Sequence, residues 1–418
     1  MKADAPARSR IADLALAPEG ARQIDWVARH APVLNRLARD RLADGALNGR
    51  RVAVVVHLEA KTAYLALLLA EAGAEVVAAG SNPQSTQDAV CAALVQRGVE
   101  VHATHGASPE AFTADLLAVA DTAPEIVIDD GAELTRRIVE HRPDLVERLV
   151  GVSEETTTGV ARLRALEAAG RLTFPAIAAN DARCKHLFDN AYGTAETTLT
   201  AILALTNVLA AGREFCVVGY GWVGSGLARA ARGLGGRVTV VELDPVRALT
   251  AHMDGHRVAP LASALPDANV VVTATGSVEA LGADSLALLK DGAILANAGH
   301  HDREIDVPAL AVAADEVREA RRGVRTFVLG DREVHLLAGG ALVNIAGLDG
   351  NPIEIMDLSF AVQALSAHHL ASGNVPPGLN PFPRELDDAI ARAKLATLGI
   401  ELDEPSDAQR RFAADWSV

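Results

Sequence analysis

Short runs of β-branched and other apolar residues, each followed by a stretch with helical spacing, recur in two separate regions of the chain. In the first, "RVAVVVH", "AEVVAAGS", "VEVHATHG" and "PEIVIDDG" predict strands, and "AKTAYLALLLAEAG" and "TQDAVCAALVQRG" predict helices between them. Strands that are apolar almost without a break belong to a parallel sheet covered on both faces. "ERLVGV" and "LTFPAIA" read as two further strands. In the second region, "REFCVVGYGWVGSGLARAARGLGGRVTVVELDP" reads as strand, Gly-rich turn, helix, strand and terminal acid. "NVVVTATGS" and "GAILANAGHHD" add strands that run into small-residue turns, and "EVHLLAGGALVNIA" predicts a closing strand pair carrying Asn344. "TLTAILALTNVLAAG" predicts the helix joining the regions, and "LDDAIARAKLATLGIELDEPSDAQRRFAADW" a helical tail with a proline break. The pattern is that of an α/β protein with two doubly wound parallel sheets and a small helical C-terminal segment.

Polar residues stand where these strands stop. His57, Asp130, Glu155 and Asn180 each come just after an apolar run, and open α/β sheets bind ligands beyond the carboxyl ends of their strands. Any one of the four is better explained by a loop that turns polar because it is wet. Four together point to one cleft. The second region is more specific, because Gly219, Gly221 and Gly224 have the G-x-G-x-x-G spacing between strand and helix, and Glu242 closes the next strand. A tight turn, room for a pyrophosphate, a helix N-terminus facing it and a carboxylate for ribose hydroxyls make a dinucleotide site. Glu242 favours NAD over NADP, since a 2′-phosphate would meet its charge. Thr275, Gly276, Asn297 and His300 follow at the same strand edge.

The net charge of −15 over 418 residues has no basic block, which argues against a nucleic-acid partner. No apolar run has the length of a membrane span, "AYLALLLAEAGA" being interrupted by Glu71 and Gly73. "MKADAPARSRIADLALAPEG" lacks the charged-then-apolar layout of a signal peptide. Cys91, Cys184 and Cys216 are scattered without metal spacing. A cytoplasmic protein with a small-molecule partner, no membrane association and no metal is expected. One oddity remains. Only Lys2, Lys61, Lys185, Lys290 and Lys394 are lysines, and Lys185 stands between Asp181 and Asp189 in "NDARCKHLFDNAYG". A desolvated ammonium can release its proton, as a guanidinium cannot, so Lys185 is a candidate proton carrier. The competing reading is a structural i, i+4 helix pair with Asp189.

Together "SEETTTG", "NDARCKHLFDNAYG", "GYGWVGSG", "NAGHHDREIDV" and "LLAGGALVNIA" resemble the S-adenosylhomocysteine hydrolase (adenosylhomocysteinase) family, collinearly from about His57 to Phe360. "HLEAKTA", "GYGW" and "MDLSF" resemble its short archaeal and thermophilic-bacterial forms. The resemblance implies two Rossmann-like domains. A substrate-binding domain would span residues 1–185 and 352–378, an NAD-binding domain 190–350, and a C-terminal oligomerisation segment 379–418. A homo-oligomer, tetramer or dimer, is implied as well. His57, Asp130, Lys185, Asp189, Asn190 and His300 fall on the family's catalytic polar groups, and Glu155 on the acid that holds the sugar hydroxyls. Thr156, Thr157, Thr158, Asn190, Gly221, Val223, Glu242, Thr275, Asn297 and Asn344 match its NAD contacts. The three threonines also read as an ordinary helix N-cap cluster. Asp129 reads as structural, and His301 receives no role.

The implied chemistry needs these residue types together. A hydrogen beside a ribose oxygen is too weakly acidic for a side-chain base. Oxidising the 3′-hydroxyl, with hydride passing to NAD, leaves the C4′ hydrogen α to a carbonyl. A base then removes it, the C5′ substituent departs, water adds, and the ketone is reduced again. Lys185 would take the hydroxyl proton, which calls for a depressed pKa. Asp130 would be the base at C4′, and His57 with His300 would manage the leaving group and the water.

Several positions depart from the family pattern. Glu59 and Lys61 stand where many members have Thr and then Glu or Gln, and Asn351 replaces a His that touches the base. All three fall in the part of the site expected to hold the purine and are expected to bind substrate, at its base or its sugar. Lys61 suits a purine keto oxygen, while Asn351, able to donate and accept, dictates neither base. The tail near Trp416 lacks the Lys- and Tyr-containing terminus of longer members. Hydrolysis of S-adenosyl-L-homocysteine to adenosine and homocysteine is the leading expectation. The alternatives are S-inosylhomocysteine hydrolysis and a nucleoside 4′,5′-dehydratase that expels water from C5′. A non-catalytic NAD sensor and an ordinary NAD dehydrogenase rank below them.

Overall fold

The structure is a computed structural model that describes residues 8–300 and 302–416, so His301 lies outside the described residues, as do Lys2 and the rest of the first seven positions. The first strand-rich region supplies β1 (Arg51–Val56), β2 (Glu75–Gly80), β3 (Glu100–His102), β4 (Ile126–Asp129), β5 (Gly151–Glu154) and β6 (Pro175–Ala178). The second supplies β7 (Glu214–Val218), β8 (Arg237–Val241), β9 (Arg257–Val258), β10 (Val270–Thr273), β11 (Ala293–Asn297), β12 (Glu316–Arg321), β13 (Val324–Leu329) and β14 (Arg332–Leu337). The chain then returns to the first sheet with β15 (Gly378–Pro381). The first sheet has the order β15-β6-β5-β4-β1-β2-β3 and is parallel throughout. The second runs β12-β13-β14-β11-β10-β7-β8-β9, parallel except where β12, β13 and β14 meander.

Both faces of β1, β4 and β10 are buried, which is why their sequences are apolar without alternation. In the first sheet the chain moves from β1 outward to β3, then returns to the other side of β1 with β4. The second does the same with β7, β9 and β10. Each sheet thus has a topological switch point, between β1 and β4 and between β7 and β10. Ligands bind at the carboxyl ends of such pairs, here at His57, Asp130 and the loops of Gly219 and Ala274.

Three expectations need correction. Asn344 lies on a short helix, Val343–Ala346, and not on a strand, because Gly339 and Gly340 turn the chain at φ +65° and +90° directly after β14. The partner of β14 precedes it, in the β12–β13 hairpin, which no alternation announced. The expected boundary at residue 379 falls inside β15, and the helix Arg384–Thr397 buries Ile390 in the core of the first domain. Only residues beyond that helix stand apart: none of Asp407–Ala414 is buried. Among the described residues no helix is long and apolar enough to cross a membrane.

Candidate active site

The two switch points open onto one cavity of about 440 Å³ lined by residues of both domains. His57, Asp130 and His300 form one group in its wall. Asp130 is fully buried and accepts from the Ser81 hydroxyl through Oδ2 at 2.8 Å. That oxygen lies 3.5 Å from His57 Nε2, and Oδ1 lies 3.6 Å from His300 Nδ1. Gly131 lets the second ring come so near, because a Cβ there would stand 2.5 Å from His300 Nε2. His57 Nδ1 is 2.6 Å from Ser85 Oγ. Burial lowers the pKa of His57 despite Asp130 beside it, so the ring favours the neutral form. Burial would raise Asp130, but His300, His57, Ser81 and Lys185 outweigh it and hold the carboxyl below the usual aspartate range. Asp129, by contrast, accepts from the backbone N–H groups of Asp130, Leu134 and Thr135 and from the Thr135 hydroxyl. It is structural, as expected.

The second group is built around Lys185. The helix continues from it as a π-helical segment, His186–Thr194, whose wider turn brings residues i and i+5 together. Lys185 Nζ accordingly donates to Asn190 Oδ1 at 2.9 Å while lying 3.4 Å from Asp189 Oδ1 and 3.4 Å from Glu155 Oε1. Asn180, the fourth strand-end residue, accepts from Asn190 Nδ2 at 3.2 Å and so fixes the orientation of that amide. Burial would lower the ammonium's pKa, but Asp189, Glu155 and Asp130 outweigh it and raise it. The depressed lysine expected from the chemistry is therefore not what the protein provides by itself. Burial pushes Glu155 up to about 7 against the attraction of Lys185, so its carboxyl titrates near neutral pH.

The residues that hold this group were not foreseen. On the helix Ile353–Ala371, Ser359 donates to Asp189 Oδ2 at 2.8 Å, and Gln363 donates to Glu155 Oε2 at 2.5 Å while accepting from Ser153. Ser359 and Gln363, four apart among the buried polar residues of a mostly apolar helix, were the available signal. Glu154 was missed too. Its carboxylate accepts from the N–H groups of Gly131, Ala132 and Thr156, and so ties the Asp130 loop to the threonine cluster.

On the cofactor side, Thr156, Thr157, Thr158, Asn190, Gly221, Val223, Thr275, Gly276 and Asn344 line the cavity, joined by Arg247, which sequence reasoning passed over. Gly219, Gly224, Glu242 and Asn297 support it from behind. A Cβ on Gly224 would stand 1.9 Å from the Gly219 carbonyl oxygen, whereas one on Gly221 would meet nothing nearer than Arg247 Nη1 at 3.9 Å. The open position is where a pyrophosphate must approach, and the helix Trp222–Gly233 begins there with no side chain capping it. Glu242 caps the Tyr220, Leu243 and Asp244 N–H groups at the end of β8. Asn297 is turned inward, bonded to Thr273, Gly299 and Gly340. Thr156 caps the helix Thr157–Ala168, so the N-cap reading holds for that threonine, while Thr157 and Thr158 face the cavity. Glu304 accepts from the Thr275 and Gly276 N–H groups and stiffens the turn between them. Asn344 Oδ1 is a buried acceptor with no protein partner in the cavity wall, as a ligand N–H would require. The residues present fit a dinucleotide.

At the far end, Lys61 and Glu59 form a buried ion pair at 2.7 Å, and Lys61 Nζ also donates to the Asp349 carbonyl at 2.8 Å. Both line the main cavity and an adjoining one of about 430 Å³ that reaches Arg22 and Trp26. Asn351 lines both as well, and its side chain is bonded to Asp189, Thr194 and Asn344.

Family models for S-adenosyl-L-homocysteine hydrolase match residues 8–146 and, for its NAD-binding domain, residues 190–350. The adenosylhomocysteinase of Thermococcus kodakarensis is 46% identical over 409 residues, 97% of each chain. The chain belongs to the S-adenosyl-L-homocysteine hydrolase family. The adenosylhomocysteinase of Thermotoga maritima is also 46% identical, over 95% of this chain and 99% of its own. The S-inosyl-L-homocysteine hydrolase of Methanothermobacter thermautotrophicus is 43% identical over 97% of this chain and 98% of its own. NAD is the cofactor of this chain, carried by the second sheet.

Proposed function

We propose that this member of the family is an NAD-dependent thioether hydrolase acting on S-adenosyl-L-homocysteine, releasing adenosine and homocysteine. One observation carries the reading: the Lys185–Glu155–Asp189 group and the Asp130–His57–His300 group share one cavity with the dinucleotide turn. When bound, NAD supplies the hydride acceptor that makes a ketone of the sugar's 3′-alcohol. Lys185 receives the hydroxyl proton after passing its own to Glu155, whose carboxyl, held at about 7, is ready for it. Asp130, kept ionised, takes the proton from C4′. His57 and His300, on either side of it, serve the departing sulfur and the incoming water. Subunit contacts through the exposed tail around Phe412 and Trp416, and a cytoplasmic setting, complete the reading.

The inosyl thioether is the second reading, favoured by Lys61. Its ammonium has three hydrogens and two protein acceptors, Glu59 and the Asp349 carbonyl, which leaves one for a purine keto oxygen. The test is purification without added cofactor, release and assay of bound NAD, and incubation with adenosine, inosine and the homocysteine thioether of each. Free thiol and deuterium entering C4′ from heavy water are expected. A sugar alkene without thiol would replace the hydrolase by a dehydratase. No thiol from either thioether, with the nicotinamide oxidised throughout, would overturn both readings.

A further inference from the structure

We infer that Asn351 is a positioning residue for Asp189 and not a reader of the substrate's base, an inference that rests on the function proposed above. Its Nδ2 donates to Asp189 Oδ1 at 2.9 Å and to Thr194 Oγ1 at 3.2 Å, and its Oδ1 accepts from Asn344 Nδ2 at 2.9 Å. The network fixes which way the amide points. Flipped, it would set its oxygen against the Asp189 carboxylate and its nitrogen against the Asn344 nitrogen, two repulsions in place of two hydrogen bonds. Both donor hydrogens are therefore committed to protein. Gly193 gives the amide room, since a Cβ there would stand 3.1 Å from Asn351 Cγ and would make it give by a few tenths of an ångström.

The consequence for the site is electrostatic and geometric. Asp189 is held at Oδ1 by the Asn351 amide and at Oδ2 by the Ser359 hydroxyl. Both donors are neutral, so they fix the carboxylate without cancelling the charge that acts on Lys185 3.4 Å away. Through Asn344, Asn351 also ties this acid to the NAD domain. Lys185, Asp189, Asn351 and Asn344 form a continuous polar chain from the proton-transfer group to the cofactor side of the cavity.

The experiment compares wild type with Asn351→Ala and Asn351→Asp, purified as holoenzymes. It measures nucleoside dissociation constants and the first-order rate of reduction of bound nicotinamide by adenosine and by inosine. Losing a hydrogen bond to a charged group predicts a rate about tenfold or more lower in Asn351→Ala. The factor should be the same for both nucleosides, with each dissociation constant within about twofold of wild type. Asn351→Asp sets a carboxylate beside Asp189 and should lose more at high pH, recovering as pH falls and the new group protonates. If Asn351→Ala does not yield folded holoenzyme, the pH profile of Asn351→Asp decides, and a flat ratio to wild type across pH overturns the inference. So does an Asn351→Ala enzyme whose adenosine-to-inosine preference moves more than about fivefold at unchanged reduction rates, since one lost hydrogen bond to a base would do that. A wild type that reduces no nicotinamide with any nucleoside overturns the proposed function and this inference with it, whereas a wild type matched by Asn351→Ala overturns the inference alone.

Discussion

Glu155→Gln should stabilise the protein, and by an amount that grows with pH. The buried carboxyl of Glu155 is raised from an ordinary 4.5 to about 7, first by burial and then by Asp189 and Asp130, with Lys185 only partly compensating. The folded state therefore binds a proton more tightly than the unfolded chain, and stability falls as pH rises from the lower value to the higher. Each unit of separation is worth about 1.4 kcal/mol. The raised pKa thus costs the fold about 3 kcal/mol at pH 8, where Glu155 is ionised, against about 1 kcal/mol at pH 5, where it holds a proton the unfolded chain has largely lost. A glutamine keeps the shape and carries no charge to bury; its one oxygen can serve Gln363 or Lys185 but not both, a loss that does not vary with pH. Calorimetric melting of both proteins at saturating NAD, across this pH range, gives the difference directly. The variant should melt higher at alkaline pH, with the gap closing towards pH 5, while its turnover falls because the acceptor for the lysine's proton is gone. A gap of constant size, or one that widens in acid, would refute the reasoning that burial of this charge is what the fold tolerates for function.

Two other outcomes test separate parts of the site. Lys185→Ala should retain NAD on purification, since the dinucleotide turn makes no bond to it and Asn190 keeps its bond to Asn180, yet reduce it about 10²- to 10⁴-fold more slowly on addition of nucleoside; single-turnover absorbance of reduced nicotinamide checks this. Gly224→Ala puts a Cβ 1.9 Å from the Gly219 oxygen, so the turn must move and the purified protein should carry little NAD, read by cofactor release, while far-UV circular dichroism stays close to wild type.

What could be read in advance was whatever is encoded locally. The glycine spacing around Gly221 states its own backbone requirement, and unbroken apolar runs ending in His57 and Asp130 betray buried parallel strands with polar ends. The β12 strand could not be read, because all six of its residues are exposed at a sheet edge and no buried face imposes alternation. Asn344 was misplaced because an apolar stretch after two glycines suits strand and helix alike. The charge on Lys185 was beyond any local pattern. It is decided by carboxylates from positions 130, 155 and 189, which meet only after the sheet and the π-helical turn have formed. Ser359 and Gln363 were legible in principle, as hydrophilic positions four apart within the fully buried stretch 356–367 of their helix.

The return of the chain to its first sheet sets the order in which the molecule can be made. A ribosome delivers β1 to β6 long before it delivers Ile353–Ala371 and β15, with the entire NAD domain synthesised in between. Domains ordinarily fold as they emerge, but here the earlier one lacks a covering helix and an edge strand until the later one is complete. The nascent first half must wait with an apolar flank uncovered, and truncated chains ending before residue 353 are expected to be chaperone clients rather than small stable proteins.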